Sequence, residues 1–338
     1  MIADAGARAP VVVVAWDGFQ ARTKYLSGAL GGPAYFFRGR PSQKALLPVR
    51  YLFEGIRMWR MLERHRPRAL VVITPPVLAP LVGWWWSITH GCRLVVDCHT
   101  GTFHSRRWRW SRLLHRLIFR RAAAVLLHTE EDEALMRRWG APALLLPDDV
   151  PELGDALEQP RSSGPRVVVA GSLDGNEPIA DVLAAARLIP GVEVRMTGDP
   201  NRVPAVMRAT ASANVVFTGW LEYGTFLGEL LAADVVAVFS TDPHIMNRAA
   251  FEAVGLGRPL VLSDLPGLRA RFGDGASFSH NDPPSMAEAI RCALQHQDEL
   301  AARSTQLQDR LRRHHHEALR QLRAVLRDAT VTGQLAAI

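Results

Sequence analysis

Three cysteines in 338 residues, Cys92, Cys98 and Cys292, are too few for a disulfide framework, and they show no metal-ligand spacing. The natural setting for such a chain is a reducing compartment. A phosphate loop ending in Lys, a serine nucleophile elbow and a zinc-type Cys/His pattern are all missing. His314, His315 and His316 are consecutive, so on a helix they point in different directions and share no face; no metal site is expected. No internal repeat is visible. The longest uncharged stretch, residues 69–92, is long enough to raise the question of a membrane span, which takes about 20 apolar residues. Pro75, Pro76 and Pro80 interrupt it, and strand, turn and buried helix is the expected reading. The apolar run 10–15 is too short for a signal peptide.

A hydrophobic content of 48% with 22% charged residues describes a globular chain, and 338 residues suggest two domains. The net charge of +7 is unevenly spread. Residues 1–150 hold 22 Lys or Arg against 11 Asp or Glu, which is +11, and the remainder holds 18 against 22, which is −4. The first half therefore calls for an anionic partner.

Strand-length Val/Ile/Leu runs alternate with helical patterns, which predicts parallel sheets with crossover helices and strands buried on both faces. Strands are expected at 11–15, 34–37, 69–73, 93–97, 123–128 and 143–146. After a Pro-, Gly- and acid-rich break they resume at 166–170, 193–197, 214–218, 234–240, 259–263 and 276–278. Thr129 followed by Asp132 marks a helix start. The expected organisation is a Rossmann-like domain at 1–150, a linker at 151–165, a second Rossmann-like domain at 166–297 and a terminal helix at 298–338. The fold class is α/β, doubly wound in both halves.

Two segments of the second half carry chemistry. The strand at 167–170 ends in Gly171-Ser172, where backbone amides can approach a phosphate ahead of a helix. The segment 239–264 reads strand, loop, helix with Glu252-Ala253, then Gly257-Arg258-Pro259 and a strand ending in Ser263-Asp264. In this pattern the chain resembles the retaining GT-B glycosyltransferases of the large family 4 type, over about residues 165–295. The resemblance implies two lobes facing a central cleft and a nucleoside diphosphate sugar as co-substrate, with no other cofactor. It places Glu252 on the ribose hydroxyls, which suits a carboxylate accepting from a vicinal diol. It places Met246, Asn247 and Arg248 at the diphosphate, and Gly219-Trp220 by the base.

In the first half, the strand ending at Asp97 presents His99 on its loop, where such enzymes bring a His to the donor sugar, with Asp97 orienting it or ending the strand. Gly18 lies in the loop after the first strand, and Arg22 either reaches a phosphate or is a solvated helix residue. Two positions depart from the family pattern. His244 stands where the first family Glu falls, eight positions before Glu252, and Ser172 and Glu177 occupy a region usually carrying Arg and Lys. Catalytic roles are assigned to His99, His244 and Asp97.

The stretch 104–122 (HSRRWRWSRLLHRLIFRRA) sets Arg109, Arg112, Arg116 and Arg120 at helical spacing with Leu113, Leu117 and Phe119. It reads either as a helix packed on the sheet with a solvated basic face, or as a contact for anionic lipid or a lipid-linked acceptor. No nucleic-acid-binding module accompanies it. The resulting expectation is transfer of a sugar to a lipid-linked or saccharide acceptor, in polysaccharide or glycolipid assembly, by a cytoplasmic chain at the inner face of the membrane. Two alternatives remain. One is a nucleotide-sugar 2-epimerase, for which Asp17, Asp97, Asp174 and Asp242 are the available acids; the other is a non-catalytic partner subunit.

Overall fold

The computed structural model describes residues 11–18, 20–37, 47–99, 101–104, 106–148, 150, 156–160 and 164–327. The chain divides into two compact units, Met1–Pro147 with His315–Ile338, and Asp148–His314. Parts of the expected linker (151–155 and 161–163), Phe19 and the end of the tail (328–338) lie outside the described residues.

The first unit contains the strands β1 (Val11–Ala15), β2 (Ala34–Phe36), β3 (Ala69–Thr74), β4 (Arg93–Cys98), β5 (Ala124–Leu127) and β6 (Ala143–Leu145). Its helices are α1 (Ala21–Leu30), α2 (Leu47–His65), α3 (Leu78–His90), α4 (Gly101–His104), α5 (Arg112–Arg121) and α6 (Glu130–Trp139). The strands form one parallel sheet in the order β2-β1-β3-β4-β5-β6. Every residue of β1, β3 and β5 is buried, as continuous apolar runs in a sheet covered on both faces require. On one face Met58 and Leu62 of α2, Trp86 of α3, Ile118 and Phe119 of α5 and Met136 of α6 make the core. On the other face lie Leu26 of α1 and, from the end of the chain, Ala318, Leu319 and Leu322.

The second unit carries β7 (Arg166–Val169), β8 (Glu193–Thr197), β9 (Val215–Gly219), β10 (Val235–Val238), β11 (Leu260–Ser263) and β12 (Ser277–Ser279). Its helices are α7 (Ile179–Leu188), α8 (Ala205–Ala209), α9 (Tyr223–Ala232), α10 (Arg248–Gly255), α11 (Pro266–Phe272) and α12 (Pro283–Gln295), followed by α13 (Gln297–Arg327). The parallel sheet runs β12-β11-β10-β7-β8-β9, with α7 and α12 on one face and α9, α10 and α11 on the other. The tail expected as a separate segment is divided: Leu307 and Leu311 of α13 enter the second unit's core, and Ala318, Leu319 and Leu322 enter the first unit's core.

Most local signals act as expected. Thr129 Oγ1 accepts from the Asp132 amide at 3.1 Å and caps α6, and Gly140 ends that helix at φ +70°. The basic stretch differs. A 3₁₀ turn, Arg106–Ser111, precedes α5, and Ser111 Oγ donates back to the Trp108 carbonyl at 2.8 Å. Such a local hydroxyl bond competes with regular helix. The expected buried helix after β3 is α3, yet Trp85 and Ile88 point outward at 58% and 59% exposure.

Candidate functional site

In a doubly wound sheet, ligands bind outside the carboxyl ends of the strands where the order reverses. In the second unit that point lies between β7 and β10, whose following helices α7 and α10 cover opposite faces. The two loops there are tied together, since the Thr241 amide and hydroxyl both donate to the Asn176 carbonyl, at 2.8 and 3.1 Å. Asn281 bridges the ends of β10 and β11: its Nδ2 donates to the Ser240 carbonyl at 2.7 Å while Ser263 Oγ donates to its Oδ1 at 2.7 Å.

The turn after β7 is a backbone nest. Leu173 sits at φ +60°, in the left-handed region, and the amides of Ser172 and Leu173 converge. Consecutive amides arranged this way bind anions. Here the anion is the chain's own: Glu177 accepts from Ser172 N at 2.9 Å and from Leu173 N at 3.1 Å. Burial pushes this carboxyl above its ordinary range, against the opposing pull of the amides. Gly171 leaves room for it, because a Cβ there would stand 2.2 Å from Glu177 Oε2 and push the carboxylate aside. Gly198 is required more strictly, since its Cβ would meet the Ser172 backbone at 2.6 Å. Gly171 and Ser172 therefore lie at the switch point as expected, with the cradle filled by Glu177, a residue the sequence pointed to only as a missing cation.

The loop after β10 leads to α10. The His244 amide donates to Asp242 Oδ1 at 2.9 Å, forming a local turn. Asn247 stands at the N-cap of α10 but makes no side-chain cap bond, and its Oδ1 is buried without a hydrogen-bond partner. One turn further in, Glu252 is 4% exposed. Arg248 Nε donates to Glu252 Oε1 at 3.0 Å, and the Tyr223 hydroxyl also donates to this carboxylate. Burial raises the Glu252 carboxyl above its usual range even beside Arg248, and burial with the neighbouring Glu252 charge pushes the Tyr223 phenol up to about 12. Met246, Asn247, Arg248 and Glu252 thus share one helix start. Tyr223 was missed, because nothing in a helix-opening tyrosine 29 positions from Glu252 marks the contact. Gly219, at φ +77°, ends β9 at the sheet edge, two strands from β7, and Trp220, 70% exposed, follows it.

The first unit departs from two expectations. Arg22 is neither solvated nor turned toward a ligand: it is 7% exposed and grips Asp97, itself 1% exposed, through Nε at 3.0 Å and Nη2 at 3.1 Å. Nη2 also donates to the Leu146 carbonyl at 2.9 Å. Asp97 is accordingly engaged by Arg22 and does not orient His99. The cause is topological, since α1, β4 and the end of β6 converge where a lone buried charge would be costly. His99 is exposed just past β4, its amide held by the Thr74 carbonyl at 3.0 Å. Gly18 is exposed after β1, and its amide donates to Asp17 Oδ1 at 2.6 Å.

Two parallel doubly wound sheets with flanking helices and a shared terminal helix define the two-domain GT-B class. Residues 1–147 match the model of a glycosyl transferase 4-like domain, and residues 164–296 match that of glycosyl transferases group 1. The chain belongs to the group 1 glycosyltransferases of GT-B fold. Solved structures agree in fold at low identity. Sucrose-phosphate synthase from Thermosynechococcus elongatus superimposes with a TM-score of 0.74 at 17% identity, covering 95% of this chain and 98% of that one. Anabaena HepE, in complex with UDP and glucose, gives 0.72 at 15% identity, over 94% and 99%. A UDP-forming α,α-trehalose-phosphate synthase from Burkholderia xenovorans gives 0.70 at 12%, over 95% and 99%. No curated protein matches the chain by sequence. Among the described residues no helix is long and apolar enough to cross a membrane.

Proposed function

We propose that the chain transfers a sugar from a nucleoside diphosphate donor to a lipid-linked or saccharide acceptor, with the donor nucleotide held at the start of α10. The observation that carries this reading is Glu252. A carboxylate 4% exposed and a buried Asn247 Oδ1 without a partner, both acceptors, suit a ligand presenting hydroxyl donors, and the amides opening the same helix suit an anion beside them. The ribose diol donates to Glu252, and the amides opening α10 face the diphosphate, where the helix dipole favours negative charge. The HepE complexes with UDP and with UDP-glucose support a uridine donor as the first to try.

In the reaction, the bond between the anomeric carbon and the diphosphate oxygen breaks. The acceptor oxygen bonds to that carbon as its proton passes to the freed diphosphate oxygen, and the nucleoside diphosphate leaves. Charge growing on the leaving group meets preorganised amides and the Arg248 guanidinium, so neither metal nor further cofactor is invoked. Retention at the anomeric carbon follows the family resemblance. His99 and His244 are assigned to the sugar side, and cell-surface polysaccharide or glycolipid assembly in the cytoplasm is the proposed setting.

One observation favours a second reading. With Glu177 seated in the β7 nest and His244 at the position of the family's first Glu, the chain suits a non-catalytic partner subunit. A thermal-shift panel of UDP, GDP, ADP and dTDP with their common sugars separates the two. A ligand at 100 times its dissociation constant stabilises by about 2.7 kcal/mol. A shift with one base that disappears in Glu252→Ala supports the donor site; silence across the panel favours the partner subunit.

A further inference from the structure

We propose that the outer surface of the first unit's helix layer, formed by α2, α3, the 106–111 turn and α5, is a docking surface for an anionic lipid bilayer. The first observation is a second apolar stripe on α2. Beside the buried Met58, Met61 and Leu62, residues Val49, Leu52, Phe53 and Ile56 recur at three- and four-residue steps and are 50, 64, 61 and 40% exposed. Such spacing puts them on one face, and that face is turned away from the core. On α3, Trp85 and Ile88 do the same one turn apart, and Trp110, Leu113 and Leu117 repeat the pattern into α5, with Leu113 81% exposed.

These helices are neighbours on one side of the sheet. Trp59 of α2 meets Trp86 of α3 edge-on at 5.1 Å, and Arg121 of α5 lies over Trp84 of α3 at 6.0 Å. Nine of the fifteen large apolar side chains exposed among the described residues fall on this layer, so the surface is a patch and not a scatter.

Charge selects the occupant. Residues 104–122 contain seven Arg and no Asp or Glu. Arg112, Arg116, Arg120 and Arg121 are exposed between the apolar positions of α5, and α2 adds exposed Arg57, Arg60 and Arg64. A protein interface also favours Trp, Phe and Arg but is depleted of charge at its centre and commonly pairs it with the opposite sign, whereas here seven arginines without a single carboxylate are spread among the apolar positions of residues 104–122. A second copy of the chain would set this arginine-rich face against itself. A nucleic acid would use the arginines but leave Leu113 and Phe53 in water. A bilayer with anionic headgroups uses both: apolar groups enter at headgroup depth, where Trp is favoured, and Arg extends to the phosphates.

Co-sedimentation of the full chain with vesicles tests this without reference to glycosyl transfer. The chain is expected to pellet with phosphatidylcholine/phosphatidylglycerol vesicles at low salt and to stay in solution with phosphatidylcholine alone. Its partitioning should fall at least about tenfold in high salt, as screening shortens the reach of the arginines. Phe53→Ser/Trp85→Ser/Leu113→Ser should lower partitioning about tenfold with an unchanged melting temperature, and Arg116→Gln/Arg120→Gln should weaken the dependence on anionic lipid. Val206→Ser/Val216→Ser, on exposed positions of the second unit, should change nothing. No retention on anionic vesicles at low salt would overturn the proposal. So would a chain that elutes as a dimer and becomes monomeric in the triple-serine variant, which would make the face an interface between copies.

Discussion

Asp97→Asn tests whether the Arg22–Asp97 pair is scaffold or chemistry. Both side chains are buried, at 7% and 1% exposure, and the guanidinium makes paired bonds of 3.0 and 3.1 Å to the carboxylate. Removing one partner of a buried pair strands the other charge and costs about 3–5 kcal/mol. Asn keeps one acceptor oxygen, so the lower end, about 3 kcal/mol, is expected. For a unit of this size each kcal/mol moves the midpoint by about 2–4 °C, which gives a fall of about 6–12 °C in the first unit's transition. Replacing both partners by apolar groups, as in Arg22→Met/Asp97→Leu, should recover most of the loss, leaving mainly the Leu146 carbonyl without its donor. Differential scanning calorimetry on the ligand-free chain reads both variants. A midpoint within about 2 °C of wild type for Asp97→Asn, together with lost transfer activity, would refute the scaffold reading and return Asp97 to the catalytic set.

Three other outcomes follow from the same geometry. Burial lowers His115 from 6.5 to about 4 between Thr74 Oγ1 and Ser111 Oγ, so its contribution to stability is present above pH 6.5 and lost as pH falls toward 4. The loss reaches about 2 kcal/mol by pH 5, and His115→Leu should flatten that limb of a denaturation-versus-pH series. Glu177→Ala frees the Ser172 and Leu173 amides, so sulfate at ten times its dissociation constant should stabilise the variant by about 1.4 kcal/mol and leave the wild type unmoved. Equal response of both proteins would mean that Glu177 does not fill an anion site. Because hydroxyl donors favour the ionised form of Glu252, whose carboxyl is raised by burial, nucleotide affinity should be full above that raised value and fall as the pH drops through it, in titrations across the acid range.

Much of the fold was legible because the strands are uniform apolar runs. Val11–Ala15 and Ala69–Thr74 could hardly be anything but buried parallel strands, and Thr129 and the proline-rich break punctuate the chain between such runs. The start of α10 was legible as well, since Glu252 and residues 246–248 lie close in sequence and on one helix. What failed depended on long-range partners. Arg22 and Asp97 are 75 residues apart, and no local pattern tells a phosphate-binding arginine from one buried against β4. Glu177 read as an absent cation, and only its return bonds to Ser172 and Leu173 show it acting as the anion. The outward turn of Trp85, Ile88 and Leu113 was hidden too, because an apolar residue in a helix reads as core unless the neighbouring helices are known.

The central claim is that Glu252 at the start of α10 holds the donor nucleotide, and calorimetric titration of the nucleotide selected by the panel, into wild type and Glu252→Gln, tests it most directly. The amide keeps size and burial but removes the charge that receives the hydroxyls. A hydrogen bond to a charged group is worth about 1.5–3 kcal/mol, so the dissociation constant should rise about 10- to 100-fold with the melting temperature of the ligand-free protein little changed. An unchanged dissociation constant in Glu252→Gln would place the nucleotide elsewhere and contradict the account.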